Sequence, residues 1–214
     1  MNQSFLAAEV REYLENLVPP RPAELMAMEE YAQQKDFPII GPVCGYLCYH
    51  LARMIKARRI FELGSGYGYS TAWFAKAVQE NGGGTVHHVV WDADLSQKAR
   101  QHLHALGLAD VVEYTIGEAV SELRETEGNF DLIFNDIEKV GYPASLPVIK
   151  DKLRPGGVLI VDNMLWSGRI FSDGDRSLDT QAIMDFTKLI TSDVDWLVSI
   201  MPIRDGLLVA TKQG

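Results

Sequence analysis

The chain of 214 residues is poor in cysteine, has no excess of positive charge and contains no long apolar segment. Its two cysteines, Cys44 and Cys48, lie four residues apart in a predicted helix, so packed, reduced thiols are expected. The net charge of -9 argues against a nucleic-acid partner, because an acidic surface repels phosphate groups. No apolar run approaches the ~20 residues of a membrane span, and no secretory signal is recognisable. A cytoplasmic protein without a membrane partner is therefore expected.

The composition, 47% hydrophobic and 23% charged, is that of an ordinary globular protein. We expect one domain over residues 1–214, with residues 1–36 forming an N-terminal helical cap. Apolar positions from Phe5 and Leu6 to Leu17 recur at helical spacing, and the prolines of 18–22 break that helix. A second helix is predicted to begin near Ala23.

Beyond residue 43, helical patterns alternate with short apolar strands. The predicted strands are 58–64, 85–92, 111–117, 130–136 and 156–163, and helices are predicted at 43–56, 70–79 and 96–106. Two further β-rich runs meet at Arg204-Asp205-Gly206, where Asp-Gly is a strong hairpin signal. The pattern predicts an α/β fold: a doubly wound, mostly parallel seven-stranded sheet with an antiparallel C-terminal hairpin and helices on both faces.

A glycine-rich turn, FELGSGYGYS, follows the first strand and opens a helix. Gly64, Gly66 and Gly68 permit a tight turn and a close approach of ligand to backbone, and the helix amides beyond face the ligand. A nicotinamide-dependent oxidoreductase is one alternative. Its fingerprint requires a third glycine where this chain has Tyr69, which argues against it.

Acidic residues stand at or near the ends of three successive strands of the core. Glu62 lies two residues before Gly64 and suits a ligand that carries an amine. Asp92, which ends the second strand, is placed to accept hydrogen bonds from a ribose diol, whereas Asp94 is interpreted as a helix N-cap. Asp136 ends the fourth strand. Solvated acids are the structural alternative, but their repetition favours a binding site.

These motifs resemble the class I S-adenosylmethionine-dependent methyltransferases, whose signature E/D-x-G-x-G-x-G is matched by residues 62–68. The wider context resembles the cation-dependent O-methyltransferases that include catechol and caffeoyl-CoA O-methyltransferases. There, GYS follows the turn (68–70 here), DADK ends a later strand (136–139), and DN precedes LWxG (162–168). The resemblance implies a Rossmann-like methyltransferase fold, a methyl transfer to a hydroxyl of a small aromatic vicinal diol, and a homodimer.

Residue by residue, the resemblance implies that Asp136, Asp162 and Asn163 bind a divalent cation and that Lys139 is the catalytic base. It places S-adenosylmethionine against the following residues: Ile40, Gly41, Glu62, Gly64, Gly66, Gly68, Ser70, Asp92 and Asp136. Ile137 and Glu138 depart from the DADK pattern. A cofactor-binding homologue with lapsed catalysis therefore stays open as a further alternative.

The oxygen ligands of this set suit a hard cation such as Mg²⁺, with Ca²⁺ or Mn²⁺ as alternatives. The set contains no cysteine or histidine, which argues against zinc. The cation would chelate the diol and lower the hydroxyl pKa. The structural alternative is that Asp136 and Lys139 form an exposed strand-end ion pair. Trp166 either walls an aromatic substrate or packs on a helix.

Overall fold

A computed structural model describes residues 7–214; the predicted helical positions Phe5 and Leu6 lie outside the described residues. The helices are α1 (Ala8–Leu17), α2 (Ala23–Lys35), α3 (Gly41–Met54), α4 (Tyr69–Glu80), α5 (Ala93–Ala105), α6 (Ala119–Glu125), α7 (Tyr142–Lys152) and α8 (Leu178–Ser192). The strands are β1 (Arg59–Leu63), β2 (Thr85–Val90), β3 (Val112–Ile116), β4 (Phe130–Asn135), β5 (Leu153–Val161), β6 (Trp196–Met201) and β7 (Leu207–Lys212). Within these described residues, no helix is both long and apolar enough to cross a bilayer.

The seven strands form one sheet in the order β3-β2-β1-β4-β5-β7-β6. The first five strands in that order are parallel, and β7 pairs antiparallel with both β5 and β6. Apolar clusters cover both faces of the sheet, as the nearly continuous apolar strands require. The predicted fold class is therefore confirmed.

The strands end earlier than predicted wherever the sequence turns polar. Asp92, Asp136 and Asp162 all lie in the loops that follow their strands. At the other end, β5 begins at Leu153 rather than at residue 156, because a register irregularity between Phe130 and Leu132 of β4 accommodates the Pro-Gly-Gly segment.

The two N-terminal helices differ in how they pack. In α1 no residue is buried, whereas α2 buries Leu25, Met28 and Ala32. The Tyr67 hydroxyl donates a hydrogen bond to the Met28 carbonyl (2.9 Å), and the Tyr69 hydroxyl to Glu29 (2.8 Å). Helix α2 is thereby attached to the glycine turn.

The sheet topology brings three loops to one edge. Within the sheet, β2 is the neighbour of β1 on one side and β4 is its neighbour on the other side. The strand order therefore reverses direction between β1 and β4, which is the switch point. The Asp136 amide donates to the Leu63 carbonyl (2.9 Å), and the Asp162 amide to the Asn135 carbonyl (3.2 Å). The loops after β1, β4 and β5 are therefore held side by side.

Candidate active site

A cavity of about 910 Å³ opens at this edge of the sheet. Its lining includes eight of the predicted site residues: Ile40, Gly64, Gly66, Ser70, Asp136, Lys139, Asp162 and Asn163. Four predicted residues are not part of the lining: Gly41, Glu62, Gly68 and Asp92. The structure thus brings the residues after β1, β4 and β5 together around one space of ligand size.

The glycine turn requires its glycines for two different reasons. Gly64 has a φ of +88°, and a Cβ there would lie 2.6 Å from the Asp136 carbonyl oxygen. Gly68 has a φ of +92°, and a Cβ there would lie 2.9 Å from the Cβ of Ala99 in α5. Gly64 therefore permits the loops after β1 and β4 to approach, and Gly68 permits α5 to pack on the turn.

Glu62 lies beneath the turn and is fully buried. Neither carboxylate oxygen has a well-aligned hydrogen bond from the described residues. Burial raises the pKa of Glu62 to about 7, while the nearby hydroxyls of Ser70 and Thr71 limit the rise. A buried carboxyl group without a firm partner, next to a cavity, suits a ligand that brings an amine.

Asp92 caps helix α5. Its Oδ1 accepts hydrogen bonds from the amides of Asp94 (2.7 Å) and Leu95 (3.1 Å). The prediction that Asp94 is the N-cap is therefore wrong: Asp94 lies in the first turn, two residues after the cap. Trp91, which precedes the cap, lines the cavity and is 68% exposed.

Asp136 and Lys139 form the strand-end ion pair that was the structural alternative, but the lysine is not exposed. Lys139 Nζ lies 2.8 Å from Asp136 Oδ1 and 3.1 Å from the Ile137 carbonyl, and its side chain is 11% exposed. Burial lowers the pKa of Lys139, but Asp136 and the Tyr142 hydroxyl outweigh burial and raise it above its ordinary value. The resting lysine is therefore an ammonium.

A second ion pair lies after β5. Asp162 is 1% exposed, and its Oδ2 accepts a hydrogen bond from Arg204 Nη1 at 2.7 Å. Burial raises the pKa of Asp162 to about 6, which Arg204 keeps from rising further. Asn163 Nδ2 donates to Asp205 Oδ2 (3.1 Å), so the hairpin between β6 and β7 contacts the loop after β5.

The predicted metal ligands fit a divalent cation only in their atom types. Asp162 Oδ1 is buried without a hydrogen-bond partner in the described chain, and Asn163 offers an amide oxygen. However, each carboxylate already binds a side-chain cation, Asp136 through Lys139 and Asp162 through Arg204. The contacts therefore do not fit a firmly held divalent cation, whose binding stays a prediction from resemblance.

Several residues that line the cavity were not among the site residues predicted from the sequence. Arg204 and Asp205 were interpreted only as turn residues, and Phe37 and Trp91 had no motif. Their positions depend on which loops meet at the sheet edge, so no local pattern signals them. Trp166 lines the cavity, with the Lys139 ammonium 5.9 Å from its ring centre, and also packs against the apolar cluster on one face of the sheet, so both interpretations of this residue stay open.

The sequence as a whole matches the O-methyltransferase family over residues 25–213. The catechol O-methyltransferase of Mycobacterium tuberculosis is 31% identical over 157 residues, which cover 73% of this chain and 70% of that protein.

Solved structures extend the similarity to nearly the whole chain. The O-methyltransferase TomG from Streptomyces achromogenes, in complex with S-adenosylmethionine, is 26% identical, has a TM-score of 0.86 and is matched over 96% of both chains. The O-methyltransferase from Bacillus cereus, in complex with S-adenosylhomocysteine, is also 26% identical with a TM-score of 0.86, over 96% of this chain and 97% of that one.

We expect Glu62 to make stability depend on pH. Because its folded-state pKa is about 7 against an ordinary 4.5, the folded chain binds more protons in this range than the unfolded chain. The free energy of unfolding should fall as pH rises from 4.5 to 7, by up to about 3 kcal/mol. Urea titrations of Glu62→Gln should show a loss that is smaller by about this amount, with the part due to the raised pKa of Asp162 remaining, whereas Glu125→Gln, an exposed control, should match the wild type. Parallel pH profiles for wild type and Glu62→Gln would contradict the assignment.

The close approach at Gly64 predicts a binding defect on substitution. In Gly64→Ala the methyl group would meet the Asp136 carbonyl, so the affinity for S-adenosylhomocysteine should fall more than about tenfold by calorimetry. Gly82→Ala is the matched control, because Gly82 has a similar φ of +95° but open space around it. It should lose only about 1 kcal/mol of stability and bind normally. Equal affinity in both variants would contradict the role of this approach.

Proposed function

The chain belongs to the O-methyltransferase family and is an S-adenosylmethionine-dependent O-methyltransferase, and we propose that its acceptor is one hydroxyl of a small aromatic vicinal diol. The observation that carries this proposal is the cavity in which the glycine turn, the Asp136–Lys139 pair and Trp166 meet. A planar ring packed on Trp166 would bring its hydroxyls towards the charged groups at the floor. The nicotinamide alternative has no such support.

The cofactor would lie along the glycine turn. Its amine would face the buried carboxyl group of Glu62, and Ser70 at the start of α4 would bind the methionyl part. The free Oδ2 of Asp92 would accept from the ribose, because the helix cap engages Oδ1. Ile40, which caps the N-terminus of α3 and lines the cavity, would contact the cofactor, next to Gly41 in the sequence.

The transfer itself is an in-line displacement. The acceptor oxygen forms a bond to the methyl carbon while the carbon–sulfur bond breaks, and the electron pair returns to sulfur to give S-adenosylhomocysteine. Since the reacting atoms need to be held about 3 Å apart and aligned, orientation supplies much of the rate. The loops after β1 and β4 would provide this orientation, because they approach so closely that a Cβ at Gly64 would lie 2.6 Å from the Asp136 carbonyl oxygen.

The hydroxyl proton would leave through Lys139. Because Asp136 keeps the lysine protonated, Lys139 has to pass a proton to Asp136 as it takes one from the acceptor. The distance of 2.8 Å between the two groups suits such a relay. The proton would then stand on the Asp136 carboxyl group, which borders the open cavity.

Turnover on catechol with S-adenosylmethionine, followed by mass spectrometry of the product, tests this function. We expect a monomethylated product and calorimetric binding of S-adenosylhomocysteine. Lys139→Met should lower kcat at least about 100-fold, because it removes the relay but keeps a chain of similar length. Lys188→Met, on α8 and outside the cavity lining, is the control and should behave as wild type. Cofactor binding without product from any diol would support lapsed catalysis instead.

A homodimer is the proposed assembly, and the cytoplasm stays the predicted location. Helix α1 exposes Val10, Tyr13 and Leu17, which lie on one side at helical spacing. A second copy of the chain would cover this apolar face. Light scattering at micromolar concentration should give twice the mass of one chain, and Tyr13→Glu should give the mass of one chain. A monomeric wild type would reject the proposal.

A further inference from the structure

We propose that the guanidinium of Arg204 is the cation of the transfer site, so that methyl transfer proceeds without a divalent metal ion. This inference rests on the proposed transfer to a hydroxyl. It departs from the resemblance at one point, the metal, and keeps the cofactor and the acceptor. Three features of the structure support it: the position of Arg204, the pairing of charges around it and the fixed geometry of its loop.

Arg204 occupies one oxygen of the Asp162 carboxylate, which a metal ion would also need, while Oδ1 of Asp162 has no hydrogen-bond partner among the described residues. Its Nη1 lies 2.7 Å from Oδ2 of Asp162, which is the only hydrogen bond of the guanidinium within residues 7–214. The side chain lines the cavity and is 21% exposed. A guanidinium has five N–H groups, so donors remain for a ligand in the cavity.

Both carboxylates of the predicted metal site already have a cation of the chain itself as a partner. Asp136 is paired with Lys139, and Asp162 is paired with Arg204. A divalent cation on these carboxylates would lie within a few ångströms of two fixed positive charges. Such like-charge contacts oppose binding in a partly buried site, where water screens little.

The loop of Arg204 is held in place by the chain after β5. The Met164 amide donates to the Gly206 carbonyl (2.9 Å), and the Leu165 amide to the Asp205 carbonyl (2.8 Å). Arg204 itself has a φ of +52°, which is uncommon for a residue with a side chain. The loop contacts and the ion pair with Asp162 together hold the guanidinium at the cavity floor.

The chemistry of a guanidinium suits this role. It stays charged at every physiological pH and presents a planar set of donors that matches two neighbouring oxygens. Facing a diol, it would stabilise the negative charge that develops on the acceptor oxygen, as donors of an oxyanion hole do. Arg204 would not accept the proton, which leaves by way of Lys139 as described above.

Two measurements on the wild-type protein test the inference. Turnover on catechol should change less than twofold between excess EDTA and millimolar Mg²⁺. Calorimetry with Mn²⁺ alone should show no binding below millimolar concentration. Loss of turnover in EDTA with recovery in Mg²⁺, or micromolar binding of Mn²⁺, would overturn the inference. If no diol is methylated, the proposed function fails, yet the Mn²⁺ titration still decides the claim about Arg204.

Variants of Arg204 sharpen the test. Arg204→Gly should lower kcat by about 100-fold in EDTA while S-adenosylhomocysteine still binds, and it should gain Mn²⁺ binding because Asp162 becomes free. Arg204→Lys keeps a positive charge beside Asp162 and should fold even where the glycine variant does not. It should stay insensitive to EDTA with a reduced kcat. Arg154→Ala breaks another Arg–Asp pair, with Asp131 at the opposite end of the sheet, and should leave both readouts unchanged. Unchanged kcat in both Arg204 variants would overturn the proposal.

Discussion

The site depends on the parallel alignment of β1, β4 and β5, which brings their carboxyl ends to one edge. Two backbone hydrogen bonds extend this alignment past the strands, from the Asp136 amide to Leu63 and from the Asp162 amide to Asn135. They fix the position of the first residue in each of the two loops. The carboxylates of Asp136 and Asp162 therefore reach the cavity floor from neighbouring strands. Gly64 allows the loop after β1 to lie close to the loop of Asp136.

Burial of charge is the second constraint on this edge. Glu62 and Asp162 are almost without solvent contact, and a buried carboxylate is costly unless a partner offsets it. Asp162 has its partner in Arg204, whereas Glu62 has no firm partner and carries a raised pKa instead. The two acids thus differ: Asp162 is paired with a cation of the chain itself, whereas Glu62 is the carboxyl group that we propose for the amine of the cofactor.

The sheet and much of the site could be predicted from sequence because their signals are local. Apolar runs, the glycine turn and acids at strand ends all lie within a few residues of one another. The position of Arg204 could not be predicted, since its partner Asp162 lies 42 residues away and the Asp-Gly hairpin signal favours an exposed turn. The different packing of α1 and α2 could not be predicted from the sequence either, because both segments have helical periodicity and only tertiary contacts distinguish them. The early start of β5 depends on a bulge around residues that are typical of loops.

The attachment of α2 to the glycine turn has a consequence for how the molecule divides. Two tyrosine hydroxyls join this helix to the turn, so a shift of α2 would be transmitted to the glycine turn that lines the cavity. Helix α1 has no comparable attachment. The proline-rich segment between the two helices therefore separates a helix that is packed on the glycine turn from one whose residues are all accessible to a partner.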